Sequence, residues 1–539
     1  MSKKSFVRGA AVLAVAGIIC KFIGMFYRIP MTQILGNYGM GVYQHATPIY
    51  AILLGLSSSG IPTAIAFLVA EHLTKDDERG AWRVFRISFH LLFWIGVITT
   101  VLLVVFRNTI ATIYKDPDVV LSLITLAPSL FFVSLISAYR GYFQGRQHMA
   151  PTAISQLVEQ VVKLGMGMVL ATAWQTKGVE YGVAGAFVGV TLSEVVALLY
   201  LMLVQAKQRH SIIHELAKPM PRRSQESTKS IAIRLAKLAI PATVASVIMP
   251  LVTMIDGGIV ANRLVNLLGY SAEQATTLNG LMGNKVNVLV NIPAVVTTSL
   301  SMSLVPAISA YRAQGNIKGI RRNAIQGVRL AMMISLPVAM GFFVLAEPIM
   351  LLLFGASDPV MDQTAANLLK IMSLGTIFLA LLHTMTGFLQ GLGRVRVPLR
   401  NLLMGGIVKV ILSFILIGIP QINILGAAIS STACYGVAGL LNVYAVKSAT
   451  RTRFRLKRVL LRPLLASAGM GLVVWLCHKL LVGSLGNAVA TSAAICVGIV
   501  VYGFLLLVTG GVNRRDLKAM PGGGKLARVL EKTHLLRKE

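Results

Sequence analysis

The chain has 539 residues, 55% hydrophobic and 13% charged, with a mean hydropathy of +0.73. A soluble chain of this length needs far more polar surface, and its continuous apolar runs exclude the alternating pattern of barrel strands. The formal net charge of +32 imitates a nucleic-acid signal, but Lys and Arg sit mostly in short loops between apolar runs, so nucleic acid is excluded as a partner.

These features predict an all-α polytopic membrane protein with about fourteen transmembrane helices. In chain order the apolar segments are 8–29, 43–71, 84–106, 118–142, 152–174, 181–205, 235–262, 279–311, 325–353, 367–390, 399–419, 424–446, 460–481 and 487–510. The opening MSKKSFVRG followed by AAVLAVAGIICKFIGMF imitates a signal peptide. It has no convincing small-residue cleavage site and Lys21 interrupts it, so a retained first helix with a cytoplasmic basic start is expected.

The loops alternate in charge. KKSFVR, RRSQESTK, KGIRRN, GRVRVPLR, RTRFRLKR and the C-terminal tail are basic, whereas loops 30–42, 354–366 and 420–423 contain no Lys or Arg. That asymmetry places both termini in the cytoplasm, as an even helix count requires. Cys20, Cys434, Cys477 and Cys496 lie in apolar runs without metal-type spacing, so no metal site or disulfide framework is expected.

An internal repeat runs through the chain. Gly141, Gln144 and Gly145 match Gly387, Gln390 and Gly391; Pro151 and Pro398 open the next helices, and Lys163 and Lys409 then fall into register. SSSGIPTAIA and VNIPAVVTTSLSMSLVPA form a weaker second match. The offset of six helices implies two pseudo-symmetric six-helix bundles in the same orientation. The expected lobes are residues 1–205 and 235–447, joined by a cytoplasmic linker at 206–234. Two added helices at 448–510 and a basic cytoplasmic tail at 511–539 follow.

The run RGYFQGRQHMAPTAISQLVEQVVK resembles the stage V sporulation protein B group of polysaccharide transport proteins. That group is close to the MurJ-type lipid II flippases of the multidrug/oligosaccharidyl-lipid/polysaccharide exporter superfamily. RGAAVLAVAGIICKFIGMFYRIPMTQILGNYGMGVYQ and SSSGIPTAIAFLVAEH carry the same resemblance. It implies a two-lobed alternating-access transporter of the bacterial cytoplasmic membrane, with a central cavity and a substrate joining lipid, pyrophosphate and sugar. It also implies that cations on the first helix, here Lys21 and Arg28, engage the pyrophosphate. Lys285 occupies a plausible place for a second-lobe cation.

The residues themselves give a compatible reading. Counted at 1.5 Å per residue from the inner ends of their helices, Lys21, Lys163 and Lys409 each lie near the bilayer midplane. Intramembrane charge is expensive and usually faces a polar cavity. Arg28, His45, Arg263 and Lys285 are expected nearer the outer face, where Arg263 snorkels; His45 and His383 are expected as packed polar residues. Glu159 and Lys163, spaced i, i+4, either neutralise each other or leave Glu159 supporting a charged Lys163. Glu194 and Asp256 are the candidate ion-coupling carboxylates. Gly24/Pro30, Gly60/Pro62, Pro241, Pro250 and Pro293 mark expected helix breaks lining the cavity.

No catalytic constellation or cofactor motif stands out, and GGGK at 522–525 lacks P-loop spacing. The expected function is a flippase for an undecaprenyl-pyrophosphate-linked glycan, lipid II or a related polysaccharide unit, driven by a gradient or the membrane potential. Its expected partners are that anionic lipid-linked substrate, membrane lipids and envelope-synthesis proteins. A cation-coupled multidrug exporter is the first alternative, disfavoured because the first helix has no Asp or Glu. A scaffold or scramblase using the basic loops and tail is the second.

Overall fold

The computed structural model describes residues 3–217, 226–454 and 457–510. The tail at 511–539 and the centre of the expected linker, 218–225, lie outside the described residues. Every regular element among the described residues is helical. Packing divides the chain into two compact units, Met1–Asn284 and Lys285–Glu539.

The first unit contains α1 (Lys3–Phe26), α2 (Arg28–Ser58), α3 (Ile61–Thr74), α4 (Glu78–Val105), α5 (Arg107–Tyr114), α6 (Val119–Gly145), α7 (Met149–Gln175), α8 (Val179–Ala217), α9 (Thr228–Asn266) and α10 (Ala272–Gly280). A π-helical segment, Leu281–Val286, follows α10. The second unit holds α11 (Asn287–Ala313), α12 (Ile317–Val344), α13 (Ala346–Phe354), α14 (Pro359–Gly391), α15 (Arg396–Leu416), α16 (Leu425–Thr450) and α17 (Arg462–Val508).

Among the described residues, 12 helical stretches are long and apolar enough to cross a membrane. Two of them contain a glycine outside helical space. Gly36 has φ 69° and ψ −179°, a conformation for which a residue without Cβ is suited. Arg28 and Met40, on either side of Gly36, both hydrogen-bond Asn284, so the chain doubles back there. Gly486, with φ 71° and ψ 169°, does the same in α17. Around it Gly469 faces Leu505, Gly498 faces Val474, and Arg462 donates to the Gly510 carbonyl, which is the pairing of an antiparallel hairpin. With each folded stretch counted as two passages, the helices match the fourteen expected from the apolar segments.

The internal repeat recurs in backbone geometry. In α6, Gly141 and Gly145 lie against Ile65 and Val69 of α3; in α14, Gly387 and Gly391 lie against Ser301 and Ile308 of α11. A side chain at any of these glycines would collide with the facing helix. Both GxxQG helices end in the same turn: Gln147 and Gly393 adopt positive φ, and their amides bond the carbonyls of Gln144 and Gln390. The caps of α4 and α12 correspond too, with Asp77 accepting from the Gly80 amide and Asn316 from the Gly319 amide.

The expected breaks are only partly realised. Between Gly24 and Pro30, α1 and α2 meet at Tyr27, which keeps helical φ and ψ and whose amide still bonds the Ile23 carbonyl, and α2 gives way to α3 at Ser59–Gly60. In contrast, α9 runs through Pro241 and Pro250, and α11 through Pro293 and Pro306. Such prolines are tolerated in transmembrane helices when neighbouring groups satisfy the freed carbonyl. The segment 30–42, expected as a loop, is helical on both sides of Gly36, and α14 begins inside the expected loop 354–366.

Candidate functional site

In the first unit α6 and α7 meet along a polar seam. Arg140 Nη2 donates to Glu159 Oε2 at 2.8 Å, and Arg140 Nε donates to Ser155 Oγ at 3.0 Å. Ser155 and Glu159 are one helical turn apart on α7, so one guanidinium engages both. The pair is largely buried, with side chains 17% and 18% exposed. Glu159 thus has its salt bridge on another helix rather than with Lys163.

Lys163 lies midway along α7, one turn beyond Glu159. Its Nζ sits 5.8 Å from the ring centroid of Tyr27, a cation–π geometry. Tyr27 is the residue where α1 meets α2 and is itself buried. Gly167 makes room for it: a Cβ there would lie 2.6 Å from the Tyr27 hydroxyl. The next residue, Arg28, donates through Nη1 to the Gly283 carbonyl at 3.2 Å and to Asn284 Oδ1 at 3.0 Å. Asn284 belongs to the π-helical segment, a distortion that recurs at functional sites.

Glu194 of α8 is 4% exposed, and its Oε2 has no hydrogen-bond partner. Glu159, Arg140 and Lys163 lie within electrostatic reach of it. The structure therefore gathers Glu159, Lys163 and Glu194, three of the residues singled out from sequence, around Arg140, which was not. Asp256 is placed elsewhere in the unit, buried on α9 within electrostatic reach of Tyr114. Lys21 is exposed on α1.

A second polar cluster in this unit surrounds His45. Its Nδ1 is 2.9 Å from Asp116 Oδ2, its ring stacks on Tyr114 at 4.3 Å, and Thr276 Oγ1 reaches the same carboxylate at 3.4 Å. His45 is buried among these groups.

In the second unit Lys285 is 3% exposed and lies 3.8 Å from Asp362 Oδ1, over the Phe354 ring. Asp362 also accepts from the Ser357 amide and hydroxyl, each at 2.9 Å. Lys409 is 9% exposed. It follows Asn401 and Gly405 and precedes Ser413 at four-residue intervals, all buried. Asn401 bonds Asn442 and Ser413 bonds Ser430, so this stripe is the seam between α15 and α16. The structure therefore distributes the expected cations among different surroundings: Lys163 beside an ion pair, Lys285 against a carboxylate, Lys409 in a helix seam.

Arg140 and Asp362 escaped the sequence reading for local reasons. Arg140 opens the RGYFQG run near a basic loop, where a snorkelling arginine is ordinary. Asp362 falls in a stretch read as loop and belongs to the first turn of α14.

A family model described as polysaccharide biosynthesis protein matches residues 6–312. The chain belongs to this polysaccharide biosynthesis protein family. A second model, MatE, matches residues 284–415. Stage V sporulation protein B of Bacillus subtilis (strain 168) is 27% identical over 527 residues, covering 98% of this chain and 99% of that protein. Lipid II flippase MurJ of the same organism is 26% identical over 466 residues, 82% of each chain. A solved structure of lipid II flippase MurJ in an inward closed conformation aligns with a TM-score of 0.66 at 17% identity, over 92% of this chain and 98% of that one. That last likeness shows the fold. This family member is a multi-span helical membrane protein whose relatives are transporters and flippases rather than enzymes.

Proposed function

We propose that this protein is a flippase that moves an undecaprenyl-pyrophosphate-linked glycan, lipid II or a related polysaccharide precursor, across the bacterial cytoplasmic membrane by alternating access. The observation that carries the reading is the cluster of charged groups in the first unit. Arg140 and Lys163 sit at membrane depth around Glu159 and Glu194, while Arg28 anchors the helix beside Tyr27. A pyrophosphate offers two charges and many acceptor oxygens, which ammonium and guanidinium groups satisfy. The family match, and relatives named as a flippase and a sporulation protein, support the same substrate class.

In this reading Arg28 and Lys163 bind the headgroup, Glu159 fixes Arg140 beside it, and Lys21, Lys285 and Lys409 are further candidate contacts. Glu194 and Asp256 are the candidate coupling carboxylates. Both termini face the cytoplasm, the lobes are residues 1–205 and 235–447, and envelope-synthesis proteins supply and take the substrate. Reconstitution in vesicles with a fluorescent lipid-linked pyrophosphoryl sugar tests it. Wild type moves the lipid to the other leaflet; Lys163→Ala and Arg28→Ala, folded and inserted, move it several-fold more slowly. Equal rates in wild type and empty vesicles would sink the reading.

The multidrug-exporter alternative has the MatE match at residues 284–415 behind it. Increased drug resistance of a sensitive host expressing this chain would favour it over a flippase.

A further inference from the structure

Glu194 is a buried carboxyl with one oxygen lacking a partner, beside an ion pair that is already complete. Arg140 uses Nε on Ser155 and one Nη2–H on Glu159, neither of them on Glu194, and keeps further N–H groups for an arriving anion. Lys163 lies over Tyr27. Neither cation is committed to Glu194, so an ionised Glu194 would be a buried charge without a hydrogen-bonded partner, which is costly.

The groups facing it come from each element packed on α8. They are Glu159 and Lys163 from α7, Arg140 from α6 and Tyr50 from α2. Helix α4 shares with α8 an apolar cluster containing Ala197, Leu198 and Leu201, and so adds no charge there. Two cations and two carboxyl groups therefore make a cluster whose net charge is set by one proton. With Glu194 ionised the four groups sum to zero; with Glu194 neutral they carry one positive charge. A metal cation is poorly suited to the spot, because Arg140 and Lys163 already stand within electrostatic reach. A proton adds no ionic radius and forms an O–H on the free oxygen.

We propose that Glu194 is the proton-binding residue of the anion site, and that binding a pyrophosphate-bearing lipid is coupled to uptake of one proton by its carboxyl group. The proposal rests on the flippase reading above and deepens it. An anion arriving at Lys163 and Arg140 adds negative charge next to Glu194 and favours its protonated form. Linkage then requires the reverse: protonating Glu194 tightens anion binding by the same factor. The proton also cancels part of the substrate's charge inside the membrane, which lowers the cost of carrying it.

The test uses the purified full-length protein and a short-chain prenyl-pyrophosphoryl-N-acetylglucosamine. Its pyrophosphate is a diester, so the probe does not itself titrate near neutral pH. Affinity is measured by calorimetry between about pH 6 and about pH 8, in buffers of different ionisation enthalpy, for wild type and Glu194→Gln. Wild-type affinity should weaken with rising pH, by up to about tenfold per unit for one linked proton, with proton uptake on binding. Glu194→Gln should bind at the wild-type low-pH affinity throughout and take up no proton. A pH-independent wild type, or a Glu194→Gln variant that keeps the wild-type slope, overturns the proposal while leaving the anion site standing. A purely structural Glu194 would give that second result with a lowered Tm. A wild type that binds the probe at no pH overturns the flippase reading, and this inference with it.

Discussion

Arg140 of α6 and Glu159 of α7 form an ion pair 2.8 Å long across the turn that the GxxQG motif shapes. The corresponding place in the second unit is neutral. There Thr386 precedes Gly387 as Arg140 precedes Gly141, and Thr386 accepts from Asn442, which bonds Asn401. One helical junction thus carries a charged relay in one repeat and an amide–hydroxyl relay in the other. The cations the second repeat retains, Lys285 and Lys409, are set in a salt bridge and in a helix seam.

Breaking the Arg140–Glu159 pair should therefore be expensive and non-additive. Arg140→Ala or Glu159→Gln alone leaves a partly buried charge, and each should cost about 3 kcal/mol, the lower end for a disrupted buried pair. The double variant should cost less than the two losses added together. Thermal unfolding of the three variants in one detergent checks this. Strict additivity would show that the two side chains do not act as a unit.

Gly167 provides a steric test of the Tyr27 position. Gly167→Ala should push the Tyr27 ring away from Lys163 and destabilise the protein by about 1–3 kcal/mol, as overpacking does. Adding Tyr27→Phe removes the hydroxyl that lies 2.6 Å from the new Cβ. It should restore most of the lost stability. A double variant no better than Gly167→Ala alone would place the clash elsewhere.

Much of this arrangement was legible beforehand, and what was not has a common cause. Hydropathy shows which segments cross the membrane, and the Gly-x-x-Gln-Gly repeat located two turns whose backbones correspond at Gln147 and Gly393. The partner of Glu159 was not legible. A side chain finds its i, i+4 neighbour by spacing alone, but Arg140 meets Glu159 only through the rotation and register of two packed helices. Gly36 was hidden for a related reason: helix on both sides disguised a reversal confined to one residue. Prolines misled in the opposite direction, because Pro241, Pro250 and Pro293 sit within continuing helices.

Lys285 and Asp362 make a contrasting pair. Lys285 is almost fully buried, so Asp362→Ala should cost about 3–5 kcal/mol by stranding its charge. Replacing both, as Lys285→Met with Asp362→Leu, should be milder because no charge remains buried. Chemical unfolding of the second pair of variants decides it. A double variant as unstable as Asp362→Ala would mean that shape and the Ser357 bonds, rather than charge, hold the site.

At the start of α9, Glu226 accepts from Ser230 at 2.6 Å and from Arg234 at 3.1 Å. The Ser230 hydrogen bond, the largest cause, and Arg234 hold its carboxyl below the ordinary value against the opposing effect of burial. A depressed folded-state value means stabilisation that is complete above the ordinary carboxylate range and lost as pH falls through the folded one. Arg234 also reaches Glu71 of α3, so acid should loosen the α3–α9 contact. Wild type should lose Tm on acidification below about pH 4 more steeply than Glu226→Gln. Parallel acid profiles would remove Glu226 from that contact.

The most direct measurement is rescue of a bacterium depleted of its own lipid II flippase, scored by lipid II exposed on the outer leaflet. Wild type should restore both growth and exposed lipid II, and Lys163→Ala with Arg28→Ala, present in the membrane at equal level, should restore neither. Full rescue by that double variant would contradict a cationic pyrophosphate site in the first unit.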